Sequence, residues 1–118
     1  MAVTEGFKNF VRDLFADFGP VTIRNMFGGA GVYADGVMFA ILAEDTLYLK
    51  TDAVSAFAYA SEGMRAFKYT PRGREPVALS YWEVPSRLLE EPEELASWAR
   101  EAHRIAHAGK AKSPRKRR

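Results

Sequence analysis

Apolar residues near the N-terminus recur with the period of an α-helix. Between residues 7 and 18 they occupy positions i, i+3, i+4, i+7, i+8 and i+11, which lie on one helix face. These residues are Phe7, Phe10, Val11, Leu14, Phe15 and Phe18. Thr4 is a suitable N-cap, and Gly19-Pro20 is a stop signal. The pattern predicts a helix over about residues 5–18.

After Pro20 the pattern becomes strand-like. Four short segments are rich in strand formers, form apolar runs or alternate between two faces. These segments are residues 21–27, 31–34, 37–43 and 46–50. Asp35-Gly36 separates two apolar runs and favours a type I′ hairpin turn, because both residues tolerate positive φ. We predict an antiparallel meander whose first strand is split by the glycine-rich stretch MFGGAGVY.

A second helix is predicted after this meander. Asp52 is a suitable N-cap, and Gly63 is an end signal. The helical period places Val54 and Phe57 on the inner face, together with Ala58. We therefore expect these apolar side chains to pack against the sheet.

The last third of the chain predicts a hairpin and a long helix. Its strands are residues 66–69 and 77–82, joined by a turn at Pro71-Arg72-Gly73-Arg74. The final helix begins at the acidic residues 90–94 and ends at Gly109. The resulting order is α-β-β-β-α-β-β-α. It predicts a two-layer α+β fold, with a mostly antiparallel sheet of about five strands and helices on one face.

The glycines of MFGGAGVY raise the question of a phosphate-binding loop. A dinucleotide fingerprint needs G-x-G-x-x-G at the start of a helix, whereas the spacing here is G-G-x-G and a hairpin follows. A P-loop would also need a lysine and a Ser or Thr after its last glycine. We interpret Gly28, Gly29, Gly31 and Gly36 as structural residues of a turn, bulge or close backbone approach.

Charge divides the chain into two parts. The chain has 118 residues and no cysteine, which favours one domain without disulfides. Residues 1–108 contain 11 basic and 15 acidic residues, a net charge of −4. Residues 109–118 carry +6, from Lys110, Lys112, Arg115, Lys116, Arg117 and Arg118. We expect a folded domain over residues 1–108 and a disordered basic tail over 109–118, able to contact nucleic acid weakly and without sequence preference.

No segment predicts a membrane span or a secretion signal. The longest apolar run, residues 37–43, is too short to cross a bilayer, and the N-terminus lacks an apolar signal region. A cytoplasmic location is therefore expected, with no membrane partner.

Candidate catalytic and metal-binding groups are sparse. His103 and His107 share a helix face but lack an evident third ligand, and Ser80 lacks a nucleophile elbow. The acidic residues 90–94 are typical of a solvated helix start. We expect no metal, no cofactor and no enzymatic activity.

Two groups of residues leave a binding role open. Aromatic residues interleaved with bases on a sheet can stack single-stranded nucleic acid, although such residues also complete cores or contact protein partners. The aromatic residues are Tyr33, Tyr48, Tyr69, Tyr81 and Trp82, and the bases are Arg24, Lys50, Arg65 and Lys68. In the turn, Arg72 and Arg74 are candidates for binding a phosphate or an acidic partner.

An ordered set of motifs resembles the N-terminal domain of the TfoX/Sxy family. The motifs are MFGGAGVYADGVMFAI, LYLKTD, FKY and LSYWEVP, and the resemblance covers about residues 10–108. It implies an α+β fold like that of secretion chaperones and a bacterial source. It also implies regulation of competence genes, through transcription machinery that includes the cyclic-AMP receptor protein. Family members of that type have a second domain after this one, whereas here only the basic tail follows.

Three functional hypotheses follow. The first is a non-enzymatic regulatory or interaction domain with a protein partner. The second is a small-ligand-binding module or enzyme with a cleft between the second helix and the sheet. The third is a self-associating structural module, a homodimer in its simplest form, because an open sheet face and open edges favour pairing.

Overall fold

The computed structural model describes residues 3–26, 28–70 and 73–112, with backbone alone at 110–112. The helices are α1 (Glu5–Leu14), α2 (Ala56–Ser61) and α3 (Pro92–Lys112), and a short 3-10 helix spans Ser86–Glu90. The strands are β1 (Thr22–Met26), β2 (Gly29–Ala34), β3 (Val37–Ala43), β4 (Thr46–Lys50), β5 (Ala66–Tyr69) and β6 (Val77–Glu83). They form one antiparallel sheet in the order β1-β2-β3-β4-β6-β5. The predicted α+β fold is confirmed.

The sheet has six strands where about five were predicted. The segment interpreted as one strand split by glycines is a hairpin of two strands, in which Met26 pairs with Gly29. Gly28, with φ +80°, lies in the turn between them, where a side chain would be strained. At the next hairpin, Asp35 and Gly36 have φ of 53° and 76°, as the predicted type I′ turn requires.

α1 is shorter than predicted, and Phe10, which was predicted on its apolar face, is 42% exposed. Its N-cap is Thr4, whose side chain accepts a hydrogen bond from the Phe7 amide at 3.0 Å. The regular helix ends at Leu14, and turns continue to Gly19, whose amide donates to the Phe15 carbonyl. Gly19 has φ +132°, which ends the helical path.

α2 turns a different face to the core from the predicted one. Its N-cap is Ser55 and not the predicted Asp52, although these two residues exchange hydrogen bonds between side chain and backbone in the turn before the helix. Val54 and Phe57, however, are 78% and 75% exposed, so their predicted inner position is wrong. Tyr59 is buried instead, with its ring against Trp98 at a centroid distance of 4.8 Å.

α3 runs past its predicted end. It continues through Gly109 to Lys112, so the helix end predicted at Gly109 is wrong, and residues 109–112 of the predicted disordered tail are helical. One glycine costs a helix only about 1 kcal/mol, and Lys110, Ala111 and Lys112 are good helix formers. Residues 113–118 lie outside the described residues.

The helices and one face of the sheet enclose the core. Phe39 of β3 is fully buried against Phe15 and Phe18, with ring centroids 5.6 and 4.9 Å away. α3 packs across β3 and β4, and the Lys8 ammonium of α1 donates to the Asn25 side chain of β1 at 2.7 Å. The other sheet face is therefore the one available for contacts outside the domain. None of the helices in the described ranges is long and apolar enough to cross a membrane.

Candidate functional site

Four tyrosines that are scattered in the sequence lie on the sheet face opposite the helices. We call this the helix-free face and define it by Tyr33, Tyr48, Tyr69 and Tyr81. Tyr48 packs edge-on against Phe67, with ring centroids 4.9 Å apart, and Tyr69 and Tyr81 line the same cavity as Phe67. Trp82, next to Tyr81 on β6, points to the helix side and contacts Tyr59. The structure thus groups the four tyrosines and separates Trp82 from them.

An apolar cavity of about 340 Å³ lies on the helix-free face. We call it the trough, and the main side chains in its wall are Met26, Met38, Ile41, Phe67, Leu79 and Tyr81. Met26 comes from β1 and Phe67 from β5, which are the two outer strands of the sheet. The sheet therefore curves enough for both of its edges to border one cavity. Among the described residues, no charged side chain lines it.

Two glycines of β2 allow the strands around the trough to approach closely. A Cβ on Gly29 would collide with the backbone carbonyl oxygen of Leu42. A Cβ on Gly31 would come within 2.6 Å of the Met38 sulfur and 3.2 Å of the Tyr33 ring. Since neither glycine has a positive φ, the constraint at both positions is steric. β2 thus carries no side chain at the two positions where β3 approaches it most closely, through the Leu42 carbonyl and the Met38 side chain.

Two cations lie over tyrosine rings of the helix-free face. The Arg24 guanidinium carbon is 5.7 Å from the Tyr33 ring centroid, and the Lys50 ammonium is 5.2 Å from that of Tyr81. Lys50 also donates to the Ser80 hydroxyl at 2.7 Å. Burial raises the pKa of Tyr81 to about 12, with a smaller contribution from Tyr33. The Tyr81 hydroxyl therefore stays neutral at physiological pH.

The cleft proposed for a small ligand, between α2 and the sheet, is smaller than the trough. It has a volume of about 170 Å³ and is lined by Lys50, Tyr59, Trp98 and Glu101, among others. Of the residues that the structure describes, Lys50 is the one basic residue in its wall, and neither Arg24 nor Tyr48 lines it. The ligand-binding hypothesis stays a prediction, and the trough offers it more room than this cleft.

Two of the acidic residues near the start of α3, Glu91 and Glu94, belong to an ion-pair cluster. Arg87, in the 3-10 helix, donates to both Glu62 carboxylate oxygens at 2.9 and 2.8 Å and to Glu94 at 2.8 and 3.0 Å. Glu91 lies 3.5 Å from the same guanidinium. The hydrogen bonds from Arg87 are the main cause that lowers the pKa of Glu94 to about 2. This arrangement ties the end of α2 to the start of α3.

His103 packs against the core, whereas His107 is exposed on the same helix. The His103 Nε2 lies 2.9 Å from the Ala34 carbonyl oxygen, and its ring packs edge-on against Phe39. The His107 ring centroid is 6.3 Å from that of His103. Across residues 3–26, 28–70 and 73–112, no group of three or more His, Cys, Asp or Glu side chains could hold a metal ion.

The predicted nucleic-acid-binding residues lie mostly beyond the described part of the chain. Lys110 and Lys112 belong to the last turn of α3. Arg115, Lys116, Arg117 and Arg118 lie outside the described residues, as does Arg72 of the β5–β6 turn. Arg74 is exposed in that turn.

Sequence reasoning missed the trough, although its signal was present. β3 reads VMFAILA, which is apolar on both faces, and β6 adds Leu79 and Tyr81 to the face away from the helices. A strand that is apolar on both faces indicates that something covers each face. The curvature that forms the trough could not be predicted, because it depends on how the strands pair, and the sequence pattern does not show that pairing.

The chain matches known proteins over most of its length. Residues 13–106 match the family model of the TfoX N-terminal domain. The DNA transformation protein TfoX1 of Aliivibrio fischeri (strain ATCC 700601 / ES114) is 28% identical over 98 residues, which are 83% of this chain and 44% of that protein. The chain thus spans less than half the length of this relative. These matches confirm the resemblance seen in the motifs, and the chain belongs to the TfoX N-terminal domain family.

Proposed function

We infer that this protein is a non-enzymatic regulatory domain that acts in the cytoplasm by contacting a protein partner. Family membership and the name of the relative, a DNA transformation protein, support a role in competence-type regulation. The partner belongs to the transcription machinery, and the cyclic-AMP receptor protein is the first candidate. The basic residues from Lys110 onward add a weak attraction to DNA.

The apolar trough is the observation that carries this proposal. It is bordered by methionine, leucine and aromatic side chains, which adapt to apolar partner residues. Beside it, Tyr69 and Val77 face each other across β5 and β6 and are 39% and 47% exposed. Contiguous exposed apolar surface of this kind marks interaction sites in proteins. The helix-free face is therefore the surface assigned to the partner.

The proposal is tested on promoter DNA with purified cyclic-AMP receptor protein. Fluorescence anisotropy measures the affinity of the receptor protein for DNA, with and without the whole chain. A Tyr69→Ser/Val77→Ser variant alters the helix-free face, and Phe57→Ser is the matched control, since Phe57 is exposed on α2. We expect the wild type and Phe57→Ser to tighten binding equally, and the double variant to lose the effect.

Two results would contradict the proposal. If the wild-type chain leaves the affinity of the receptor protein unchanged at every salt concentration, this partner is wrong. If Phe57→Ser abolishes the effect while the double variant keeps it, the partner binds α2 and the helix-free face is not the contact surface. Circular dichroism of each variant first establishes that it is folded.

A further inference from the structure

The β5 edge has the features of a peptide-binding strand. β5 is an outer strand, with β6 on one side and no strand of the described residues on the other. We propose that an extended acidic segment of the partner protein pairs with this edge as an additional strand and inserts apolar side chains into the trough. This inference rests on the proposed function and names the chemistry of the partner.

The direction of the side chains along β5 fits strand addition. Phe67 and Tyr69 face the trough, whereas Lys68 between them belongs to the opposite face of the strand. A segment that pairs with β5 would place every second side chain over the same cavity. The exposed pair Tyr69 and Val77 would then be covered together with the trough. Backbone pairing would supply affinity, and the trough would select the apolar side chains.

Charge indicates that the incoming segment is acidic. Residues 65–75 contain four basic residues and one acidic residue, a net charge of +3. The rest of residues 1–108 contains seven basic and 14 acidic residues, a net charge of −7. The β5–β6 hairpin is thus the basic part of an acidic domain, and its bases are Arg65, Lys68, Arg72 and Arg74. Such complementarity speeds the encounter with an acidic segment and disfavours a basic one.

The same surface fits single-stranded nucleic acid less well. Arg24 and Lys50 already lie over the rings of Tyr33 and Tyr81, so these rings offer less open surface to stacking bases. The trough lacks charged side chains that could contact phosphates from within. A peptide strand uses the backbone groups of β5 and the apolar cavity at once, whereas a nucleic acid strand would leave the backbone groups of β5 unpaired.

The test uses three synthetic fluorescein-labelled probes and the whole chain. The first is a peptide of about ten residues that alternates glutamate with valine and phenylalanine. The second has the same sequence but is N-methylated at every residue, so it keeps its side chains and neither of its edges can donate the backbone hydrogen bonds of a strand. The third is an oligothymidylate of similar length. We expect the first peptide to bind in anisotropy and to protect β5 amides from hydrogen exchange, and the methylated peptide to bind at least about tenfold more weakly.

Charge-reversal variants locate the site. Lys68→Glu should weaken binding of the acidic peptide by about tenfold or more, because it reverses a charge at the edge. Arg100→Glu makes the same charge change on the exposed surface of α3 and should leave binding unchanged. A peptide with lysine in place of glutamate should not bind the wild-type chain.

Three binding results and one light-scattering result would contradict the proposal. No saturable binding of the acidic peptide up to about 1 mM would overturn the proposal. So would equal binding of the methylated peptide, or tighter binding of the oligothymidylate that Lys68→Glu abolishes. Light scattering that shows a dimer dissociated by Lys68→Glu would assign the edge to a second copy of the chain.

Strand addition and the proposed effect on the receptor protein can fail independently of each other. If the peptide fails while Tyr69→Ser/Val77→Ser still abolishes the effect on the receptor protein, the partner uses the helix-free face without strand addition. If the peptide binds while the receptor protein shows no response, strand addition stands and a different regulatory partner is needed.

Discussion

The Met38 side chain of β3 lies directly over the Cα of Gly31 in β2. A Cβ at Gly31 would come within 2.6 Å of the Met38 sulfur, a distance that no real contact tolerates. At Gly29 the corresponding neighbour is the backbone carbonyl oxygen of Leu42. The two glycines therefore face obstacles of different stiffness, since a methionine side chain can rotate and a carbonyl within a sheet cannot.

This difference predicts unequal costs for two alanine substitutions. Gly31→Ala should lower the free energy of unfolding by about 1 kcal/mol, because Met38 can move aside. Gly29→Ala should cost about 3 kcal/mol, because the strands must separate. Each variant also gains a few tenths of a kcal/mol from a less flexible unfolded chain. Urea denaturation measures both, and equal losses would contradict the geometry.

α2 offers a second pair of variants. Tyr59 is 3% exposed and packs against Trp82 and Trp98, so Tyr59→Ala should cost about 3 kcal/mol of unfolding free energy. Phe57 is exposed on the same helix, and Phe57→Ala should change that free energy by no more than about 0.5 kcal/mol. Thermal unfolding compares the two. If Phe57→Ala loses more unfolding free energy than Tyr59→Ala, Phe57 faces the core as the sequence predicts.

The error at α2 has a simple physical origin. The helix has six residues, fewer than two turns, so apolar spacing cannot fix which side faces the sheet. In ten-residue α1 the apolar face repeats over nearly three turns, and Val11 and Leu14 of that face are buried as predicted. At the end of α3, the prediction gave one glycine more weight than the helix formers after it. The buried face of a long periodic segment can therefore be predicted from the sequence, whereas tertiary contacts determine the buried face of a short one.

The candidate site was predictable only in part. The alternation in β4 and β6 places Tyr48 and Tyr81 on strands, and the structure brings both to the helix-free face. The division of the glycine-rich stretch into β1 and β2 depends on the turn that contains Gly28, and alternation of apolar residues does not reveal it. Without that hairpin Met26 has no assigned neighbour, and the trough between the two sheet edges cannot be inferred.

The cluster around Arg87 predicts an acid-dependent stability. Its hydrogen bonds are the main cause that lowers the pKa of Glu94 from its usual 4.5 to about 2, and they also lower the pKa of Glu62. Because these pKa values are lower in the folded state, their contribution to stability is present above pH 4.5 and is lost as pH falls toward 2. Arg87→Met should therefore lower Tm at neutral pH, and the difference from wild type should shrink below pH 4.5 and vanish near pH 2.

Arg12→Met is the matched control for this titration. Arg12 is on α1 and donates to the neutral Asn9 side chain at 2.8 Å, so no carboxylate depends on that bond. The Tm difference between Arg12→Met and the wild type should stay constant from pH 7 to about 2. Since the Arg87 cluster is partly exposed, salt should also reduce its effect. A pH-independent loss in Arg87→Met would contradict a contribution from the ionised carboxylates of Glu62 and Glu94.

The basic C-terminal residues predict a defined salt dependence of DNA binding. The six positive charges of residues 109–118 should give a slope of log Kobs against log salt no steeper than about −5 on duplex DNA. Because α3 runs to Lys112, deletion of residues 113–118 keeps the helix intact and removes four of the six charges. The slope should then fall to about −2. A variant that carries a glycine-serine segment of equal length controls for chain length. An unchanged slope after deletion would place the phosphate contacts on the folded domain, with Arg24, Lys50 and Arg74 as the first residues to replace.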